Sequence, residues 1–225
     1  MTMPDKKSLI IIGATAPEVV KLVDAINQAC TDGFDIIGFL DDDLAKHGTE
    51  FMGYPVLGPT TMLKDTYQDC WVINNVARDM LTRQKVSRKL EDIGVTRFAT
   101  LVHPMVDLRY AEVGLGTIIQ EGCIIGPLVK IGRHCLISFR VVIAHESTIG
   151  DCVFIAPGTI INGRVKVKTG AFLGAGSIIL PHKTVGEWSL VGAGSVVTED
   201  VPPYSTVFGA PARVISRRPS PGEAS

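Results

Sequence analysis

From Val113 onward, every sixth residue is aliphatic: Val113, Ile119, Ile125, Ile131, Ile137, Ile143, Ile149, Ile155, Ile161, Val167, Leu173, Ile179, Val185, Val191 and Val197. The frame holds for fifteen hexads without insertion. The following position is Gly at 114, 126, 132, 150, 174, 186 and 192, and the fifth position is slim, as in Thr117, Cys123, Cys135, Ser147, Thr159, Ala171 and Ser177. A six-residue period predicts a parallel β-helix in which each hexad is one short strand and one corner. The aliphatic residue fills the prism, the slim residue also points inward, and the glycine is expected to take the positive backbone angle of a tight corner. Three hexads make a triangular coil, so residues eighteen apart stack about 4.8 Å from each other.

The first hundred residues carry a different rhythm. Leu9–Ile12 is a short apolar run closed by Gly13-Ala14-Thr15, which reads as a buried strand and a turn. Thr15 and Glu18 have capping-box spacing, and Val19, Val23 and Ile26 then recur at helical spacing up to Ala29. Strands are expected at 36–40, 70–73 and 97–102, with a second helix marked by Val86, Leu90 and Ile93. Strand alternating with helix predicts a small parallel βαβ sheet. The expected fold class is an α/β, Rossmann-like N-terminal domain followed by an all-β parallel β-helix. Expected boundaries are 1–102, 103–215 and a Pro/Ser/Gly-rich disordered tail at 216–225.

In a parallel sheet, ligands sit at the carboxyl ends of the strands. Those ends are polar or Gly-rich here: Gly13 to Pro17, Asp41 to Asp43, and Asn74-Asn75. Helix-start N–H groups favour a phosphate, and the carboxylates suit hydroxyl or base N–H groups. Thr15, Ala16, Pro17, Asp41, Asp42 and Asn74 are therefore candidate substrate contacts for a nucleotide or nucleotide sugar; the alternative is that they are ordinary loop residues.

Charge and composition narrow the partners. There are 22 basic and 23 acidic residues, for a net charge of −1, which gives no electrostatic case for nucleic acid or an anionic membrane. No apolar run approaches the roughly 20 residues of a membrane span, and the first eight residues are polar, unlike a signal peptide. The five cysteines form no CxxC pair, and Cys123 and Cys135 occupy slim inward positions, as expected in a reducing cytoplasm.

His145 is the main candidate for chemistry. It follows the inward Ile143, so it falls at a corner, and Glu146 lies beside it to orient the ring. An imidazole with an ordinary pKa near 6.5 suits a general base; a surface histidine without a role is the competing reading. Eighteen residues before and after it are Pro127 and Gly163, neither of which crowds the ring. The histidines show no metal-ligand spacing, so no metal is expected.

The hexads, the terminal Gly209-Ala-Pro-Ala-Arg213 and the preceding βαβ pattern together resemble the hexapeptide-repeat, left-handed β-helix acyltransferases. More narrowly, they resemble sialic acid O-acetyltransferases and the N-acetyltransferases of nucleotide-linked amino sugars. The resemblance covers about residues 8–215. It implies acetyl-CoA as co-substrate, a nucleotide-linked amino sugar as acceptor, and a homotrimer with active sites between subunits. The family's catalytic His-Glu pair matches His145-Glu146, and its Phe-Leu-Asp-Asp matches Phe39 to Asp42. The CoA arm would lie along later corners near Ala175 and Ala193, with Pro211 and Arg213 near its path and Phe154 and Gly163 near the reacting end. The chain departs from the family pattern at Thr15-Ala16-Pro17, where Ser-Gly-His is common, at Asn74, where Gly is common, and at Phe154, where many relatives carry a second histidine.

The implied reaction is direct transfer. His145 takes a proton from the acceptor amine or hydroxyl as it attacks the thioester, with no covalent enzyme intermediate. Two alternatives stand beside it: a non-catalytic β-helix that binds a nucleotide sugar, and an acyltransferase for an amino-acid or lipid precursor.

Overall fold

The apolar run at 9–12 lies in an interior strand of a five-stranded sheet. The computed structural model describes residues 6–76 and 79–218, and the chain divides into two units between Pro104 and Met105. In the first unit, β1 (Lys7–Ile12), α1 (Glu18–Ala29) and β2 (Phe34–Leu40) form a parallel βαβ unit. A hairpin of β3 (Glu50–Phe51) and β4 (Tyr54–Gly58), a one-turn α2 (Met62–Asp65), β5 (Trp71–Asn74) and α3 (Met80–Asp92) follow. The strand order is β3-β4-β2-β1-β5. β1, β2, β4 and β5 run parallel, and β3 is antiparallel to β4. Ile10, Ile12, Leu40, Leu63, Val72, Leu90 and Phe98 close one buried cluster.

Three local expectations need correction. The capping box does not form: Pro17 precedes α1 without a side-chain cap, because its fixed φ already suits the helix start. The strand expected at 97–102 shrinks to Leu101–Val102 and a bridge between Val72 and Phe98. The β3–β4 hairpin is absent from the sequence reading. Its tight turn is Met52-Gly53, both at positive φ, a signal that Phe51-Met52-Gly53-Tyr54 carries in its glycine.

The second unit is a coil of fifteen two-residue strands on three parallel faces. Face one runs from Glu112–Val113 to Thr184–Val185. Face two runs from Ile118–Ile119 to Leu190–Val191, and face three from Ile124–Ile125 to Val196–Val197. Pairing is between residues eighteen apart, such as Ile131 with Ile149 and Ile143 with Ile161. The frame's aliphatic residues are buried apart from the half-buried Val113. The slim residues do more than fit: Thr117, Cys123, Cys135, Ser147 and Thr159 each donate to a carbonyl fifteen residues on, at 2.9–3.1 Å.

The frame's glycines have a different cause from the expected one. Positive φ falls two residues after their position in the hexad, at Leu128, His134, Arg140, Glu146, Cys152, Arg164, His182 and Trp188 among others. The glycines permit close stacking instead: a Cβ on Gly150 would lie 2.6 Å from the Thr169 nitrogen one coil along. After the last coil, Ser205–Phe208 extends face two and pairs antiparallel with Arg213–Arg217. Ser216 and Arg217 thus belong to a strand rather than to the expected disordered tail. Residues 219–225 of that segment lie outside the described residues. No helix among the described residues is long and apolar enough to cross a membrane.

Candidate active site

His145 sits on the corner between a face-three and a face-one strand, Val142–Ile143 and Thr148–Ile149. Its side chain is about half exposed, and Nδ1 lies 3.4 Å from Glu146 Oε1. Nε2 points over the next coil, where a Cβ on Gly163 would come within 2.7 Å of it. The missing side chain at 163 is what lets the ring lie there with its second nitrogen clear. Below, a Cβ on Gly126 would come within 2.7 Å of the His145 backbone nitrogen.

Glu146 holds the left-handed conformation of the corner, with φ 58. Its carboxylate accepts from Arg164 twice, Nε to Oε2 at 2.8 Å and Nη2 to Oε1 at 3.2 Å. Arg164 is Glu146's stacking partner eighteen residues on, and it is not among the residues that the sequence singles out. Its hydrogen bonds, with a smaller contribution from His145, hold the Glu146 carboxyl below its ordinary value. The Arg164 guanidinium is raised in turn. Glu146 is therefore anionic across the range in which an imidazole titrates.

The expected co-substrate residues fall in several places. Ala175 and Ala193 are exposed on one corner column, each followed by a positive-φ glycine, Gly176 and Gly194, with open space where a Cβ would stand. That column is a smooth, side-chain-poor strip, which fits an extended thioester arm. Phe154 instead stacks on Phe172, with ring centroids 4.9 Å apart, on face two. Pro211 and Arg213 are exposed in the C-terminal hairpin, and Arg213 donates to the Ala212 carbonyl.

The N-terminal unit carries a cavity of about 550 Å³ at the carboxyl ends of its strands, lined by Gly13, Thr15, Ala16, Asp41, Lys46 and Thr82 among others. Its carboxylates are engaged by the chain. Asp41 accepts from Ala14 N at 3.0 Å and from Lys46 Nζ at 2.7 Å. Asp42 accepts from Thr60 N and Oγ1 and from Lys89 Nζ. Burial pushes both carboxyls up, but these donors outweigh it and leave both below the usual range. The Ala14 N–H thus serves Asp41, and Lys46 brings to the cavity wall a cation that no sequence motif marks. Pro17 is not among the lining residues. Asn74 is fully buried and donates to the Arg83 carbonyl and Ser87 Oγ, so its amide braces the chain rather than facing a ligand. No cluster of three or more His, Cys, Asp or Glu residues able to hold a metal occurs among the described residues.

A three-faced parallel coil with a six-residue repeat and an open histidine corner defines a hexapeptide-repeat protein, and the stacked sheets fit the left-handed β-helix. Its relatives include a GDP-perosamine N-acetyltransferase. The family described as the GMPPB C-terminal domain matches residues 117–218. The GDP-perosamine N-acetyltransferase of Escherichia coli O157:H7 is 33% identical over 147 residues, 65% of this chain and 64% of that protein; the match therefore spans less than two thirds of that relative's length. Among solved structures, PerB from Caulobacter crescentus in complex with CoA and GDP-perosamine has a TM-score of 0.81 at 27% identity, over 93% of this chain and 97% of that one. WeeI from Acinetobacter baumannii AYE has a TM-score of 0.80 at 28% identity, over 93% of this chain and 100% of that one.

Proposed function

We propose that this chain transfers an acetyl group from acetyl-CoA to the amino group of a nucleotide-linked sugar, with His145 as general base. The observation that carries the reading is the His145 corner: an imidazole on a carboxylate at one nitrogen, with its other nitrogen over the vacant side of Gly163. The names of the E. coli and Caulobacter relatives support the class of donor and acceptor. Acetyl-CoA supplies the activated acyl carbon. The acceptor nitrogen forms the new C–N bond, the C–S bond breaks, and CoA leaves as the thiol. The nitrogen's proton passes to His145, whose imidazolium Glu146 stabilises, and from there to the departing sulfur, which leaves the imidazole neutral again. Ala175 and Ala193 are read as the strip along which the CoA arm lies, with Gly163 at its reacting end and Pro211 and Arg213 toward its far end. Phe154, stacked on Phe172, stands where the family resemblance implies a second histidine, so a backbone N–H is the reading for the oxyanion donor.

The N-terminal cavity is read as the nucleotide-sugar site, with Thr15 and Ala16 on its wall and Lys46 for the phosphates. Asp41 and Asp42 shape it by holding Ala14, Thr60 and the two lysines. A homotrimer is the proposed assembly, and the cytoplasm, where acetyl-CoA is at hand, the proposed location. Ile124 and Ile160 are outward on face three and 63% and 38% exposed, an apolar face that a second copy would cover.

The test is thiol release from acetyl-CoA against GDP-, UDP- and dTDP-linked 4-amino sugars, with His145→Ala alongside. Turnover on at least one of them, lost in the variant, is expected. Nucleotide-sugar binding with neither CoA binding nor turnover would overturn the reading.

A further inference from the structure

The corner that carries Glu146 repeats every eighteen residues, and the left-handed position on that column holds Leu128, Glu146, Arg164 and His182 in successive coils. Glu146 and Arg164 on this column meet in an ion pair, which is bidentate and approaches through both Nε and Nη2. Bidentate geometry restricts a carboxylate far more than a single contact does. The oxygen that receives Nη2, Oε1, is the same oxygen that faces His145 Nδ1.

The ionisable groups around the imidazole are few. The coil before it presents Gly126, Pro127 and Leu128 at the matching positions, none of which titrates. Its own turn presents Glu146. The coil after presents Gly163 and Arg164, and His182 continues the column one coil further. Across these four coils Glu146 is therefore the anion of the column, and Arg164 the cation bound to it.

We propose that Arg164 is a positioning residue: it clamps Glu146 from the next coil so that one carboxylate oxygen stays on His145 Nδ1, leaving Nε2 aimed across Gly163 as the base. This rests on the reading of His145 as the base. A lone exposed glutamate has several rotamers of similar energy, and a 3.4 Å contact to a ring nitrogen is too weak to choose among them. Two donors from a planar guanidinium make that choice before substrate arrives.

The test compares Arg164→Gln and Arg164→Lys with the parent in the full chain, by kcat, by KM for both substrates and by thermal melts. Arg164→Gln is expected to lower kcat by at least about tenfold, with KM for both substrates held within about twofold. Arg164→Lys, which keeps the charge but loses the fork, should restore only part of kcat. An Arg164→Gln variant that keeps the parent's kcat would overturn the proposal, as would one whose kcat falls only in step with its thermal stability or with a rise in both KM values. His145→Ala separates the two readings. Full activity in that variant sinks the base itself, whereas loss of activity there, with Arg164→Gln indistinguishable from the parent, sinks only the clamp.

Discussion

At the level of single residues, the proposed activity depends on what lies next to one imidazole. A methyl group at 163 would sit within 2.7 Å of His145 Nε2, so Gly163→Ala must push the ring aside. Activity is expected to fall by about a hundredfold, since a displacement near 1 Å costs that much, while circular dichroism stays that of the parent. Full activity in Gly163→Ala would mean the ring is not held as described. The pair His145-Glu146 is legible in the sequence because the hexad frame fixes which residues reach a corner. Arg164 obeys the same eighteen-residue rule, yet an arginine on an outward corner has no chemical signature until its stacking partner is identified. Asn74 misleads in the opposite way: a polar residue at a strand end looks like a ligand group, and only its bonds to Arg83 and Ser87 show that it is spent on the chain.

Among elements, the hexad strand and the parallel sheet behave differently. Each hexad carries its own core residue and corner, so period alone dictates register. The sheet depends on contacts distant in sequence, which is why the strand at 97–102 is shorter than its apolar pattern; the β3–β4 hairpin is local, and its two-residue pairing leaves Gly53 as its one trace. Truncating an inward residue well away from the site, Ile179→Ala, is expected to cost about 2–5 kcal/mol by denaturant unfolding. The outward neighbour, Ile178→Ala, should cost less in the monomeric chain. Equal costs would contradict the inward–outward alternation. The strand ends of the N-terminal unit have a pH signature. Asp41 and Asp42 have depressed carboxyl values when folded, so the stability they contribute is fully present above about pH 4, the unfolded carboxylate value. It is lost as pH falls below that through their folded values. Asp41→Asn should flatten this acid limb, as read by thermal melts between neutral and acidic pH; an unchanged limb would show that the bonds from Ala14 and Lys46 carry no net stabilisation.

For the whole molecule, the division of labour follows from the two units. The β-helix is rigid because every coil is hydrogen-bonded to the next, so its corners hold side chains in fixed geometry, a suitable frame for chemistry that depends on positioning. The N-terminal sheet ends in loops and a cavity, where we propose that the nucleotide sugar binds. Assembly also belongs to this scale. Light scattering is expected to give three times the chain mass of 24.1 kDa, and Ile124→Glu with Ile160→Glu is expected to reduce it to one copy. A monomeric parent would remove the role assigned to the exposed face-three ladder.

The most direct measurement is the mass of the nucleotide sugar after incubation with acetyl-CoA and either the parent chain or His145→Ala. A product heavier by one acetyl group on the amino sugar, formed by the parent and absent with the variant at equal folded concentration, is the predicted result. The same acetylated product from both proteins at the same rate would contradict the central claim that His145 removes the acceptor's proton.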